Sequence, residues 1–245
     1  MNLWIGTSGF QYPEWKGTFY PETLALSKML PFYAERFQTT EVNYTFRRIP
    51  SAQTIERWTT ETPSRFQFSL KAPQKVTHFA KLRDCSDTLR FFHQITSALG
   101  EKLGPVLFQL PPSFKKDTPL LSAFLEEVPT GMRAAFEFRH ASWFDEDVFN
   151  ALQNRNVALC IADSESLSAP VVATANFGYL RLRREDYTAA DVERWTETIR
   201  ALQGQWADAY VYFKHEESGV GPRLASLMIE AFACQPPPRS EVPAI

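Results

Sequence analysis

Short apolar, β-rich runs alternate with stretches of helical periodicity along almost the whole chain, and this alternation limits the folds open to it. The runs are LWIG (3–6), TTEVNYTF (39–46), FQFSLK (66–71), PVLFQL (105–110), AAFEFR (134–139), VALCIAD (157–163), GYLRLR (178–183) and AYVYFK (209–214). Helical patterns fill most gaps. One starts near Ser27 as N-cap, one opens at Pro50-Ser51 and carries Ile55 and Trp58, and one covers about 86–99. Others are capped by Asp117, start near Asp145, and cover about 188–202; the last carries Leu224, Leu227, Met228 and Phe232. Strand and helix in alternation imply a parallel sheet. Eight such units in 245 residues fit one closed (β/α)8 TIM-type barrel of the α/β class. The stretch 164–177, SESLSAPVVATANF, has no helical pattern, so the helix between strands six and seven is expected to be irregular or missing. A doubly wound open sheet fits less well, because no G-x-G-x-x-G follows any strand. The expected layout is a single barrel domain over 1–235 and a loose Pro-rich tail over 236–245.

The formal net charge of −2 argues against a nucleic-acid binder that works through bulk electrostatics, though a local basic patch stays possible. No uncharged apolar run reaches the roughly 18 residues of a membrane span, and MNLWIGTSGF lacks the pattern of a secretory signal. A cytoplasmic location with no membrane partner is expected. Cys85, Cys160 and Cys234 are widely spaced with no C-x-x-C pair, which excludes a zinc ribbon as the organising site. Cys160 reads as a buried small hydrophobe.

Barrel enzymes of this kind carry their functional groups at the C-terminal ends of the strands. The polar residues there are Ser8 after strand one, Glu41 and Asn43 in strand two, and Lys71 ending strand three with His78 in its loop. Gln109 follows in strand four, Glu137 and Arg139 in strand five, Asp163 in strand six, Arg181 and Arg183 in strand seven, and Lys214 with His215 after strand eight. Side chains alternate across a strand. Phe136 and Phe138 therefore set one face of strand five, and Glu137 and Arg139 point into the barrel. The same parity turns Arg181 and Arg183 inward, and Glu41, Asn43 and Thr45 with them. Buried charges need partners, so these should form a network. Two readings of it stay open: filling of the barrel interior, or a functional site. The aromatic loop with Tyr12, Trp15, Phe19 and Tyr20 either caps the barrel or walls a ligand pocket.

GTSGFQYPEWKGTFYP (6–21) resembles the opening signature of the YecE-like family, also called domain of unknown function 72. The likeness continues through EVNYTF (41–46), FSLKAPQKVTH (68–78), LGPVLFQLPPSF (103–114), FEFRHASW (136–143) and YVYFKHE (210–216). The resemblance implies a TIM-type barrel and brings no established reaction. Its recurrent polar positions correspond here to Ser8, Glu41, Asn43, Lys71, His78, Gln109, Glu137, Arg139, Trp143 and Arg181. The chain departs from the pattern at Arg47, where many members have an aromatic residue, and at RLRRE (181–185), where many read R-L-H-G. The second departure puts Arg183 where those members have a histidine, which weakens any metal site built on strand seven.

Three functions follow as expectations. The leading one is a metal-free protein for a small anionic, phosphorylated or acidic sugar-like molecule. Arginine forks match phosphate and carboxylate groups in bidentate fashion. Here Glu137 is the general acid or base, and His78 and Glu41 are further catalytic groups. Ser8, Asn43, Lys71, Gln109, Arg139, Trp143, Arg181, Arg183, Lys214 and His215 bind the ligand. No cofactor is required. The second function places a divalent metal on Glu41, Glu137, Asp163 and His215 as a hydrolase or isomerase. The third is a nucleic-acid or nucleotide binding module, with Arg47, Arg48, Lys75, Lys81, Arg83 and Arg184 on phosphates and Trp15, Phe19 and Tyr20 stacking on bases.

Overall fold

Eight parallel strands close into a barrel in the order β1 to β8, with β8 returning to pair with β1, in the computed structural model, which describes residues 1–234. The strands are β1 Asn2–Ser8, β2 Thr39–Val42, β3 Gln67–Lys71, β4 Leu103–Gln109, β5 Ala134–Glu137, β6 Ala158–Asp163, β7 Phe177–Leu182 and β8 Asp208–Phe213. The helices are α1 Met29–Ala34, α2 Tyr44–Arg47, α3 Ala52–Thr60, α4 Ser86–Thr96, α5 Thr118–Glu127, α6 Glu146–Asn154, α7 Ala189–Ala201 and α8 Val220–Ala233. The chain thus folds as the expected (β/α)8 TIM-type barrel; the tail expected at 236–245 lies outside the described residues.

Two apolar layers hold the barrel. Outward residues such as Phe108, Phe136, Leu180 and Val211 pack against the helices. A smaller inner cluster, with Leu107, Ala135, Cys160, Tyr179, Tyr210 and Tyr212, fills the lumen. Cys160 is buried as expected. The seam between β1 and β8 is held by six residue pairs in register, from Asn2 opposite Asp208 to Thr7 opposite Phe213. Helix starts follow their side chains. Ser51, Asp117 and Asp145 each accept a backbone N–H as N-caps, and Thr188 forms a capping box with Asp191. Ser27 is not a cap. It lies in a 3-10 turn (Leu26–Lys28) that leads into α1.

Strand two ends earlier than its β-rich composition predicts. The chain leaves β2 after Val42, Asn43 takes helical dihedrals, and Tyr44–Arg47 forms a single turn. The turn is fixed from outside, because Thr45 Oγ1 donates to the carbonyls of Val42 (3.1 Å) and Lys71 (2.7 Å). No α-helix joins β6 to β7, in line with the missing periodicity. The connection is stitched down instead by single bonds. Thr174 Oγ1 accepts from Leu159 N and donates to Val157 O, both at 2.7 Å, and Ala169 N donates to Ala162 O at 2.9 Å.

Candidate functional site

The site is built on one guanidinium. Arg181 sits near the top of β7 with inward parity and is fully buried. Its Nε and Nη2 donate to Glu41 Oε1 at 3.1 and 2.8 Å, and its Nη1 donates to Glu137 Oε2. Both carboxylates are buried as deeply as the guanidinium. Each has further donors. Glu41 accepts from Ser8 Oγ and from Tyr179 OH at 2.7 Å, and Ser8 Oγ in turn accepts from Asn43 Nδ2 at 2.8 Å. Glu137 accepts from Gln109 Nε2 (2.8 Å) and Arg139 Nε (3.0 Å), with Arg183 Nη1 at 3.6 Å. Gln109 passes the chain on, because its Oε1 accepts from Lys71 Nζ at 2.8 Å.

Gly9 carries the chain from β1 over this network at φ +97, a backbone state suited to glycine, and its N–H donates to Glu41 O at 2.8 Å. Beneath it, Tyr212 OH meets Thr39 Oγ1 (2.8 Å) and Ser69 Oγ (2.7 Å), which closes the lumen.

Depth divides the charges. Arg181, Glu41 and Glu137 have no access to solvent, whereas Lys71, Arg139 and Arg183 reach it. Across these six side chains four cations face two carboxylates, a local cationic surplus, while the adjoining hollow also carries Glu165, Glu185, Glu216 and Glu217. Arg183 Nε is buried with no hydrogen-bond partner among the described residues, a donor left over after Glu137 is satisfied. Arg139, Arg183 and Glu137 line a hollow of about 210 Å³ whose far wall is the helix-free segment at Ser164–Leu167. Glu165 on that wall accepts from Glu185 N at 2.9 Å. Next to it, Arg183, Lys214 and His215 line a second hollow of about 350 Å³, where Lys214 Nζ stands 3.4 Å from Glu216. A third hollow of about 290 Å³, with Tyr12, Asn43, Tyr44, Arg57 and Trp58 in its wall, adjoins the network through Asn43.

Electrostatics follows this geometry. Burial alone would raise the Glu137 pKa; Arg181, Arg139, Gln109 and Arg183 overcome it and hold the carboxyl well below the usual range. Three hydrogen-bond donors, Arg181, Arg139 and Gln109, and the Arg183 charge at 3.6 Å make it a poor proton acceptor at neutral pH, which fits an anchor better than the expected general acid or base. Desolvation, reinforced by the Arg181 charge, lowers Lys71 to about 8. Desolvation, then Lys71 and Arg139, lower His78. His78 sits in a π-helical turn (Lys75–Phe79) with Nδ1 2.9 Å from Thr77 Oγ1, and its ring meets Phe46 nearly perpendicularly at 4.9 Å. Lys71 therefore gives up its proton more readily than an ordinary lysine, and His78 next to it favours the neutral imidazole.

Several expected site residues lie elsewhere. Asp163 follows the outward parity of Ile161 and accepts from Tyr187 OH, Trp195 Nε1 (3.2 Å) and Ser168 Oγ (3.1 Å). His215 shares the outward parity of Phe213; its Nε2 donates to Arg184 O and its ring lies 5.7 Å from Tyr187. With Glu41 and Glu137 committed to Arg181, the four residues expected to hold a metal do not form one site. Among the described residues no three His, Cys, Asp or Glu side chains converge on one point. Trp143 is not at a ligand surface. It is fully buried, stacks on Phe138 at 4.7 Å and donates Nε1 to Phe114 O at 2.6 Å, which fixes the loop after Arg139.

The aromatic loop divides too: Trp15 and Tyr20 are core, Phe19 packs on Tyr20 and Phe37, and Tyr12 walls a hollow. The stacking platform expected for bases is absent as a surface. Arg184 is tied to Asp191 at 2.8 Å and Arg83 to Asp117 at 3.2 Å. Tyr179 is not among the sequence candidates, though its parity with Arg181 marks it as inward. Its hydroxyl serves a buried carboxylate, and hydrogen bonds to charged groups contribute about 1.5–3 kcal/mol. Tyr179→Phe is expected to lower stability by that amount in urea unfolding; an unchanged midpoint would show that Glu41 finds another donor.

These features define a parallel β/α barrel with a buried Glu–Arg–Glu network beneath a cationic C-terminal mouth. Residues 4–244 match the model of the family described as "Protein of unknown function DUF72", and the chain belongs to that family. The UPF0759 protein YecE of Escherichia coli (strain K12) is 30% identical over 173 residues, covering 68% of this chain and 61% of YecE, so the match spans less than two thirds of that relative. The UPF0759 protein YunF of Bacillus subtilis (strain 168) is 25% identical over 269 residues, with 93% of this chain and 94% of YunF covered. The crystal structure of a DUF72 family protein from Thermotoga maritima superposes with a TM-score of 0.83 at 26% identity, over 96% of this chain and 100% of that one. A DUF72 family protein of Enterococcus faecalis shares the fold, with a TM-score of 0.78 at 16% identity over 96% and 97% of the two chains. No helix of the described residues is long and apolar enough to cross a membrane.

Proposed function

We propose that the barrel mouth binds a small molecule through a phosphate or carboxylate group, held by Arg139, Arg183 and Lys71 above the buried Arg181 network. The observation that carries this reading is the cationic surplus of side chains that reach solvent, with Arg183 Nε unpartnered. Arg181 is not a ligand contact in this scheme. Its guanidinium is spent on Glu41 and Glu137, and it sets where Glu137 stands and thereby where Arg139 and Arg183 point. The hollows beside the mouth suit a compact, polar body such as an acidic or phosphorylated sugar. Lys71 and His78 are the groups able to move a proton on the bound molecule.

A thermal-shift panel tests this. Ligands are inorganic phosphate, sugar phosphates and sugar acids, with neutral sugars and single-stranded DNA as comparisons. A ligand at about 100 times its Kd adds roughly 2.7 kcal/mol, which for a chain of this size raises Tm by about 5–10 °C. The expected response is confined to the oxyanions and weakens as pH rises through about 8, where Lys71 loses its charge. Neutral sugars shifting Tm as much as their acids would overturn the reading, as would a flat panel.

A further inference from the structure

Lys71 is placed differently from the other cations of the mouth. Arg139 and Arg183 both address Glu137, and Arg181 addresses both carboxylates. Among the described residues Lys71 Nζ has no carboxylate partner, and its one hydrogen-bond acceptor is the neutral amide oxygen Gln109 Oε1 at 2.8 Å. The same ammonium lies over the face of Phe46, 4.1 Å from the ring centroid. Around it stand Arg181 on β7, Glu41 on β2, Glu137 on β5, Arg139 just after β5, and His78 in the turn after β3. Glu41 and Glu137, the groups that could hold an ammonium charged, are both turned to Arg181. A lysine at the end of a barrel strand, half desolvated, beside fixed cations and without a counter-charge, has the surroundings of a nucleophilic amine.

We infer that Lys71 is a covalent nucleophile that forms an imine with the carbonyl carbon of a small oxo acid, whose carboxylate or phosphate is held by Arg139 and Arg183. The substrate class rests on the oxyanion reading above; the nucleophile does not. The step balances without any further reagent. His78 takes a proton from the Lys71 ammonium, and the freed Nζ lone pair forms a bond to the carbonyl carbon. The carbonyl π pair moves to oxygen, which takes a proton from the attacking nitrogen to give the neutral carbinolamine. His78 returns its proton to that hydroxyl, the C–O bond breaks, and water leaves. The product is the protonated imine, so ammonium plus carbonyl gives iminium plus water. His78 suits the shuttle because its ring touches the same Phe46 that supports Lys71 and is kept neutral near pH 7 by desolvation and the adjacent cations. Gln109 Oε1 aims the amine, and its Nε2 is held by Glu137 at 2.8 Å, so the buried network orients the nucleophile without neutralising it.

Reductive trapping on the full chain decides the matter. The protein is incubated near neutral pH with glyoxylate and cyanoborohydride, and the modified lysines are located by peptide mass mapping. Lys71 should be labelled at least about tenfold faster than the exposed Lys28 and Lys115, because an amine of lowered pKa offers far more free base at this pH. Inorganic phosphate should slow labelling of Lys71 alone, and acetaldehyde, which has no anionic group, should label it more slowly than glyoxylate. Lys71 labelled no faster than Lys28 and Lys115, while phosphate still raises Tm, would overturn the nucleophile and leave the oxyanion reading standing. Lys71 labelled fast but equally by acetaldehyde and glyoxylate, with no protection by phosphate, would support the nucleophile and overturn the oxyanion reading. The comparison is made within the wild-type chain, so no variant has to fold.

Discussion

Arg181→Met is expected to destabilise the barrel by about 3–5 kcal/mol, the usual effect of removing one partner from a buried ion pair. For a chain of this length that lowers Tm by roughly 6–20 °C. The loss comes less from the missing hydrogen bonds than from what is left behind: Glu41 and Glu137, both fully buried, with no guanidinium between them. The pH dependence should identify the cause. In the wild type, burial raises Glu137 but the surrounding cations lower it further, so its contribution is complete above the ordinary carboxylate pKa. It is lost only as pH falls through the depressed folded value. In the variant, burial of Glu137 is opposed by fewer charges, and its folded pKa moves up. Its destabilisation is then relieved as pH falls toward the ordinary carboxylate range, and the gap to wild type should narrow on acidification. A triple replacement of Arg181, Glu41 and Glu137 by apolar residues should recover much of the loss, since well-packed apolar groups often match a buried triad. Urea titrations at neutral pH and near pH 5 check this. A gap that stays constant across that interval would place the damage in packing rather than in charge.

The second large effect concerns the cations that reach solvent. Arg139→Gln and Arg183→Gln should each weaken phosphate binding by about 10–150-fold, the equivalent of one charge-assisted hydrogen bond of about 1.5–3 kcal/mol. Together they should remove measurable binding. The two losses need not multiply, because both side chains address the same Glu137 oxygen and are coupled through it. Stability should change little, since partly exposed ion pairs contribute only about 0–1 kcal/mol. Calorimetric titration with inorganic phosphate on each variant, beside its melting curve, gives both quantities. Retained affinity in the double variant would remove these arginines from the binding role.

Most of the architecture was legible in the alternation of runs. Parity alone turned Glu41, Glu137 and Arg181 inward, and they meet. The same parity, applied to Asp163 and His215, turns both outward with Ile161 and Phe213; ending a strand does not by itself bring a side chain to the mouth. Strand two was overextended because Val42, Tyr44, Thr45 and Phe46 favour β structure, whereas Thr45 caps the carbonyl of Lys71 from a neighbouring strand and no local preference reports that. Trp143 came from the resemblance, and a recurrent aromatic residue does not reveal whether it packs or binds. The separation of buried from reachable charge depends on contributions from four strands, β2, β3, β5 and β7, so no single segment carries it. The same holds for the lowered pKa of Lys71.

The pairing of β1 with β8 sets the order in which this molecule can be completed. Asn2 meets Asp208, so the first strand waits for nearly the entire chain before its partner exists. At about 5–20 residues per second of synthesis, that wait lasts roughly 10–40 s. Throughout it the growing sheet is an open one with β1 at its edge, and an unpaired edge is a template for pairing with other chains. Because that pairing is so far from local in sequence, the last step is also the slow one. Arg181 and Glu137 are made long after Glu41, and a nascent barrel carries an uncompensated carboxylate in its lumen until β7 arrives. The charged mouth is thus assembled only at the end, as the chain closes on its own beginning.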